Sequence, residues 1–128
     1  MPDYRFPKRD RLARKKLWEA VFRRGSRLKA YPLALYYHRT DLPEDVPVQA
    51  GFAVPSRSFR KAVDRNRLKR LMREAYRLQK PGAFNNIEGS YAFVFLYLGR
   101  EIADFSEVSH AVKTLLHKFK AHEKIAET

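Results

Sequence analysis

The chain has 128 residues, room for one ordinary domain and too few for two separate cores. Its 45% hydrophobic content supports a packed core, while 27 Lys and Arg against 14 Asp and Glu leave a net charge of +13. Without cysteine there is no disulfide framework, thiol nucleophile or thiolate zinc site, and the longest apolar run, Tyr91–Gly99, is far short of the roughly 20 residues of a membrane helix.

The positive charge is segregated. Residues 1–80 carry 22 basic and 8 acidic groups, and residues 81–128 carry 5 and 6. A one-sided positive field implies a polyanionic partner. No apolar stretch follows the basic N-terminus and no lipidation motif is present, so the chain reads as soluble and cytoplasmic with no membrane association.

In chain order, Pro2 and Pro7 oppose helix formation, so residues 1–11 read as a flexible, extended basic arm. Residues 12–122 read as a single domain and residues 123–128 as a tail. A helix is predicted from about Arg14 to Arg24, stopped by Gly25. Ala13, Leu17, Ala20 and Val21 share one arc of it, and Trp18 and Phe22 share another, with Lys15 nearby. One apolar stripe is enough to dock an amphipathic helix. The aromatic stripe is left over, either to pack on a sheet or to line a cleft.

Residues 33–38 and 48–54 read as strands, with a short edge strand at 26–29 and a turn-rich connector at 40–47. A long helix lies within 58–79, with Asp64 as a candidate N-cap and Pro81-Gly82 as its stop. Tyr91–Leu98 is continuously apolar and of strand length, as expected of a central strand buried on both faces. Asp104, with Glu107 three residues on, opens a last helix whose buried stripe is Val108, Ala111, Val112, Leu115 and Phe119. Helices that separate strands sharing one core make this an α+β protein, a small two-layer sandwich with three helices.

The densest charge runs from Arg57 to Arg73, with Asp64 as its only acid. On a helical wheel Leu68, Leu71, Met72, Ala75 and Leu78 face the core. Asn66, Lys69, Arg70, Arg73 and Arg77 cover the opposite arc, and Arg65 and Arg67 flank the apolar stripe. A charged arc is commonly just a solvated face. Such faces tend to mix signs, however, because like charges at i,i+4 repel by a few tenths of a kcal/mol. Here only Glu74 gives relief, and phosphates would repay the repulsion by counterion release. No helix-turn-helix pair precedes this helix, which argues against a DNA reader. Trp18, Phe22 and Tyr36 offer stacking surfaces for unpaired bases.

The segment Asp64-Arg65-Asn66-Arg67-Leu68-Lys69-Arg70-Leu71-Met72-Arg73-Glu74-Ala75-Tyr76 resembles the Arg-Asn-Arg signature helix of the bacterial ribonuclease P protein family. Arg9-Asp10-Arg11-Leu12, the aromatics Trp18 and Phe22 four apart, Gly25 and Gly51-Phe52-Ala53-Val54 are similar to that family too, so the resemblance spans residues 9–119. It implies a mainly antiparallel sheet with a left-handed βαβ crossover containing the signature helix, where chain chirality alone favours a right-handed one. It also implies a ribonucleoprotein in which a catalytic RNA, with bound Mg²⁺, removes the 5′ leader of precursor tRNA. The protein, itself a monomer, would hold the RNA and the single-stranded leader.

Carried onto this sequence, the resemblance puts Arg65, Asn66, Arg67, Lys69, Arg70 and Arg73 against the catalytic RNA. Trp18, Phe22 and Tyr36 would line the leader cleft, with further RNA contacts from Arg11, Lys15, Arg57, Arg60 and Lys61. Two departures stand out. Trp18 replaces the more usual Phe, and the segment Pro55–Lys61 is about one residue longer than the family pattern and lacks its Gly.

No chemistry of the chain's own is expected. The acids after residue 80 are scattered, and His110 and His117 stand seven apart on one helix, about 10 Å by helical rise, too far to share a metal. A structural RNA-binding protein, such as a ribosomal component, is the alternative, with a DNA-binding regulator third.

Overall fold

The computed structural model describes residues 6–125. After a short 3-10 turn at Lys8–Asp10 come α1 (Lys15–Arg24), β1 (Ser26–Ala30), β2 (Leu33–Arg39), β3 (Val48–Ala53), α2 (Ala62–Gln79), β4 (Tyr91–Tyr97) and α3 (Phe105–His122). The four strands form one sheet in the order β1-β2-β4-β3. β1–β2 and β2–β4 are antiparallel and β3–β4 is parallel. The continuously apolar Tyr91–Tyr97 segment is accordingly an inner strand, buried on both faces.

Alternation along the strands splits the core in two. Leu33, Leu35 and Tyr37 of β2 and Tyr91, Phe93 and Phe95 of β4 point to the face covered by α2 and α3. Ala92 and Val94 point to the other face, where Val21 of α1 and Leu12 meet them. On the larger side Phe93, Phe119, Tyr37 and Tyr91 pack edge to face, with centroids 4.8 Å apart for Phe93–Phe119 and 4.9 Å for Tyr37–Phe119. Burying each such ring stabilises the fold by roughly 1.5–3 kcal/mol.

The hand of the β3–α2–β4 crossover follows from one residue. Ala50 accepts a hydrogen bond from the Leu12 N–H (3.0 Å) on the outer edge of β3, away from β4, and its side chain joins the α2/α3 core. Seen from α2 with β3 running upward, an L-residue whose side chain faces the viewer turns its carbonyl to the right. β4 therefore lies to the left, and the connection over the near face is left-handed. The resemblance implied this hand.

Several local expectations are revised. The arm ends earlier than predicted: Phe6 is buried, its ring 5.9 Å from that of Tyr76, and Arg11 bridges to Ala50 beside β3. Gln49 donates to the Arg9 carbonyl (2.8 Å) and Lys80 pairs with Asp10 (3.2 Å), so residues 6–11 cover the open edge of β3. Residues 1–5 lie outside the described residues. At the other end, residues 123–125 are packed rather than a tail. Glu123 accepts hydrogen bonds from Tyr37 (2.8 Å) and Tyr91 (2.9 Å), and Ile125 lies on the core; residues 126–128 are outside the described residues. Ala13 precedes α1 and is exposed. Asp64 sits within the first turn of α2, whose N-cap is Lys61 with no side-chain cap. Tyr76, not Leu78, completes the buried stripe of α2, because the Phe6, Phe52 and Phe95 rings gather around position 76. The edge strand, the Gly25 stop and the Asp104 cap, with Glu107 N–H donating to its Oδ1 at 2.9 Å, match the sequence reading.

Candidate nucleic-acid interface

Two surfaces of different chemistry stand on opposite faces of the sheet. The first is α2. Burial of Leu68, Met72, Ala75 and Tyr76 against the sheet and α3 fixes the helix in rotation, so Asn66, Arg67, Arg70 and Arg73 are exposed and Lys69 is half-buried. Among the described residues no carboxylate pairs with Arg67, Lys69, Arg70 or Arg73. Arg77 is different. Its guanidinium is paired with Glu74, and the hydrogen bond between them holds the Glu74 carboxyl below its usual range and lifts Arg77 above its own. The ridge of free cations therefore ends one turn before the helix does.

Arg65 is half-buried beside the apolar stripe, as expected, but makes a contact that sequence reading did not anticipate. Its Nη1 turns back to donate to the Phe59 carbonyl (2.7 Å) and the Arg60 carbonyl (2.8 Å). These two acceptors belong to the segment 54–61, which leaves the end of β3 and carries the exposed Arg57, Arg60 and Lys61 to the start of α2. The spacing of charges on a helical wheel carried no signal for this contact.

The second surface is the face under α1. Residues Arg27, Tyr36, Val94 and Gly51 stand side by side across the four strands. Above them the Phe22 ring lies 4.9 Å from Tyr36 and 6.4 Å from Trp18, and the Arg27 guanidinium is 5.7 Å from the Tyr36 centroid. The three predicted aromatics thus form one cluster, extended by a cation that sequence reading missed. Register pairing of Arg27 with Tyr36 was the signal, and it needs the hairpin to be known. Trp18 both packs and presents a face: Nε1 donates to the Leu12 carbonyl at 2.8 Å, yet the residue stays half-buried, and Phe22 is 45% exposed. Aromatic rings held this way, with a cation beside them, can stack unpaired bases.

The supplementary contacts divide. Lys15 is exposed, with Glu19 at 4.0 Å. Arg11 lies over the Phe6 ring at 5.6 Å, helping to hold the N-terminal segment while remaining exposed. No three His, Asp or Glu side chains converge among the described residues. No helix among them is long and apolar enough to cross a membrane.

A family model described as Ribonuclease P matches residues 6–120. The chain belongs to the ribonuclease P protein family. Its ribonuclease P relatives include the ribonuclease P protein component of Chlorobaculum tepidum, 38% identical over 75% of this chain and 73% of that protein. Another, from Chlorobium phaeobacteroides, is 33% identical over 91% and 88%. The fold is similar to that of the ribonuclease P protein of Thermotoga maritima, with a TM-score of 0.69 and 24% identity over 86% of this chain and 97% of that one. The Staphylococcus aureus ribonuclease P protein gives the same TM-score at 17% identity, over 88% and 97%.

Proposed function

We propose that this chain serves as the protein subunit of a ribonuclease P ribonucleoprotein. In this reading the α2 ridge of Asn66, Arg67, Lys69, Arg70 and Arg73, with Arg57, Arg60 and Lys61 beside it, lies against the catalytic RNA. Trp18, Phe22 and Tyr36 take the single-stranded 5′ leader of precursor tRNA, with Arg11 and Lys15 along its flank. The RNA carries the hydrolysis and the Mg²⁺ it needs, in the cytoplasm, and the protein, a monomer when free, supplies no catalytic side chain.

The observation that carries this proposal is the pairing of two unlike surfaces on one small sheet. A row of unneutralised cations suits the phosphates of a folded RNA. An open cluster of rings suits a strand whose bases are splayed out. A structural RNA-binding protein would need only the first.

Reconstitution tests it. Purified protein is mixed with a bacterial ribonuclease P RNA and with precursor or mature tRNA. The proposal expects 5′ maturation to be restored at low Mg²⁺. Phe22→Ala should weaken binding of precursor tRNA by about tenfold, as expected for losing one base–ring stack, while binding of mature tRNA is unchanged. Equal loss for both tRNAs would remove the leader from the α1 cleft, and no stimulation of the RNA would remove the chain from the ribonucleoprotein.

A further inference from the structure

The segment 54–61 crosses the end of the sheet from one candidate surface to the other. Ala53 packs with the α1-side cluster, and α2 begins nine residues later on the opposite face. Exposed cations at Arg57, Arg60 and Lys61 cannot fix this path, because they touch no carboxylate among the described residues and repel one another. Backbone hydrogen bonds from the Ser58 and Phe59 N–H groups to the Pro55 carbonyl (3.2 and 3.3 Å) shape its first half, and two further contacts hold the rest. Phe59 is buried with its ring 5.7 Å from Tyr97, and the Arg65 Nη1 binds the carbonyls of Phe59 and Arg60 together. α2 has no side-chain N-cap, so its first turn is not tied to the segment by a capping side chain.

We propose that Arg65 is a positioning residue, holding the Arg57–Lys61 segment as a rigid cationic prong against RNA phosphates rather than binding a phosphate through the Nη1 it spends internally. The proposal rests on the RNA-binding reading of α2 and adds to it a division of labour within the signature. Arg67, Arg70 and Arg73 are the direct cations, and Arg65 acts through three charges that precede it in sequence. A guanidinium suits this task because one nitrogen can serve two carbonyls while the rest of the fork stays outside.

A double-mutant cycle on affinity for the catalytic RNA, measured against salt, separates the alternatives. Arg65→Gln is compared in the native chain and in a chain carrying Arg57→Gln, Arg60→Gln and Lys61→Gln, with Arg70→Gln as the control for a direct cation. If Arg65 itself neutralised a phosphate, removing its charge would lower the magnitude of the salt slope by about 0.7–0.9, and equally in both backgrounds. Positioning predicts a larger fall in the native chain, an affinity loss of about tenfold, and little effect once the three segment charges are gone. Equal losses in the two backgrounds would overturn the proposal. If Arg70→Gln and the triple change also leave RNA affinity untouched, the RNA-binding reading itself fails. A second measurement needs no RNA: trypsin should cut after Arg57, Arg60 or Lys61 faster in Arg65→Gln than in the native chain or in Arg70→Gln. Unchanged cleavage there would equally overturn the proposal.

Discussion

The indole of Trp18 occupies the space where a side chain at Gly51 would stand: a methyl group there would come within 2.4 Å of Cζ2 and 2.8 Å of Cη2. This absence of a side chain lets the ring lie down on β3 and reach the Leu12 carbonyl with its N–H. A Phe at position 18 could fill the space but could not make that bond. The cleft wall and the N-terminal segment are thereby joined through one side chain. Gly51→Ala should displace the indole and destabilise the fold by about 1–3 kcal/mol, the usual cost of overpacking. Trp18 is the sole tryptophan, so its fluorescence reports the displacement directly. An unchanged spectrum and melting temperature would show that the indole is not held against Gly51.

The unequal pairing of Arg73 and Arg77 makes a prediction within one helix. Arg73→Gln removes an unneutralised cation and should lower the salt slope of RNA binding by about one. Arg77→Gln should change it less, because Glu74 already offsets that charge. Glu74→Gln should strengthen RNA binding, most visibly at low salt. Affinity titrations at several salt concentrations check all three.

Glu123 ties the end of α3 to β2 and β4. Partial burial works to raise its carboxyl, but hydrogen bonds from Tyr37 and Tyr91 and the neighbouring His122 outweigh that and leave it below the ordinary 4.5. A carboxyl depressed in the folded state adds stability above its unfolded value and loses it as the pH falls through the folded one. Glu123→Ala should therefore cost on the order of 1–2 kcal/mol at neutral pH. The gap to the native chain should close as the pH drops below 4.5, as followed by thermal melts. A gap that persists in acid would assign the loss to packing.

At alkaline pH the same cluster acts in the other sense. Burial, with Glu123 adding to it, pushes the Tyr37 hydroxyl well above the ordinary 10.0 and raises that of Tyr91. The unfolded tyrosines ionise first, so stability should fall as the pH rises past 10.0. Tyr37→Phe should flatten that fall while lowering stability at neutral pH, and pH-dependent denaturant melts would reveal a failure of either effect.

Asp104 accepts the Glu107 N–H at the start of α3. Asp104→Ala should cost about 1 kcal/mol, the typical value of a lost N-cap, without altering RNA affinity, since the cap lies on neither candidate surface. Denaturation and binding measured on one sample separate the two.

Much of the fold was legible in local patterns. Period-3.6 stripes marked three helices, the apolar run at 91–97 marked the inner strand, and Gly25 and Asp104 marked two helix ends. The signature segment gave the outward ridge, because burying Leu68, Met72 and Ala75 leaves only one direction for Asn66, Arg70 and Arg73. Periodicity erred where a distant partner decided. Leu78 and Tyr76 both lie near the apolar arc, and the aromatic residues Phe6, Phe52 and Phe95 select Tyr76. Pro7 is followed by a short 3-10 turn rather than an α-helix, and the edge of β3 provides hydrogen bonds that order residues 6–12.

By itself, then, the amino-acid order determined that this chain is a basic α+β protein, where its helices and strands run, and that cations and aromatic rings are set apart in two groups. Those properties depend on charge and on the repeat of neighbouring residues, which act over one or two turns. Tertiary structure alone decided that the two groups occupy opposite faces, that Arg27 joins Tyr36, and that Arg65 spends its guanidinium on the segment before it. Each of these depends on strand register or on backbone carbonyls, whose positions are set only when remote parts of the chain pack together.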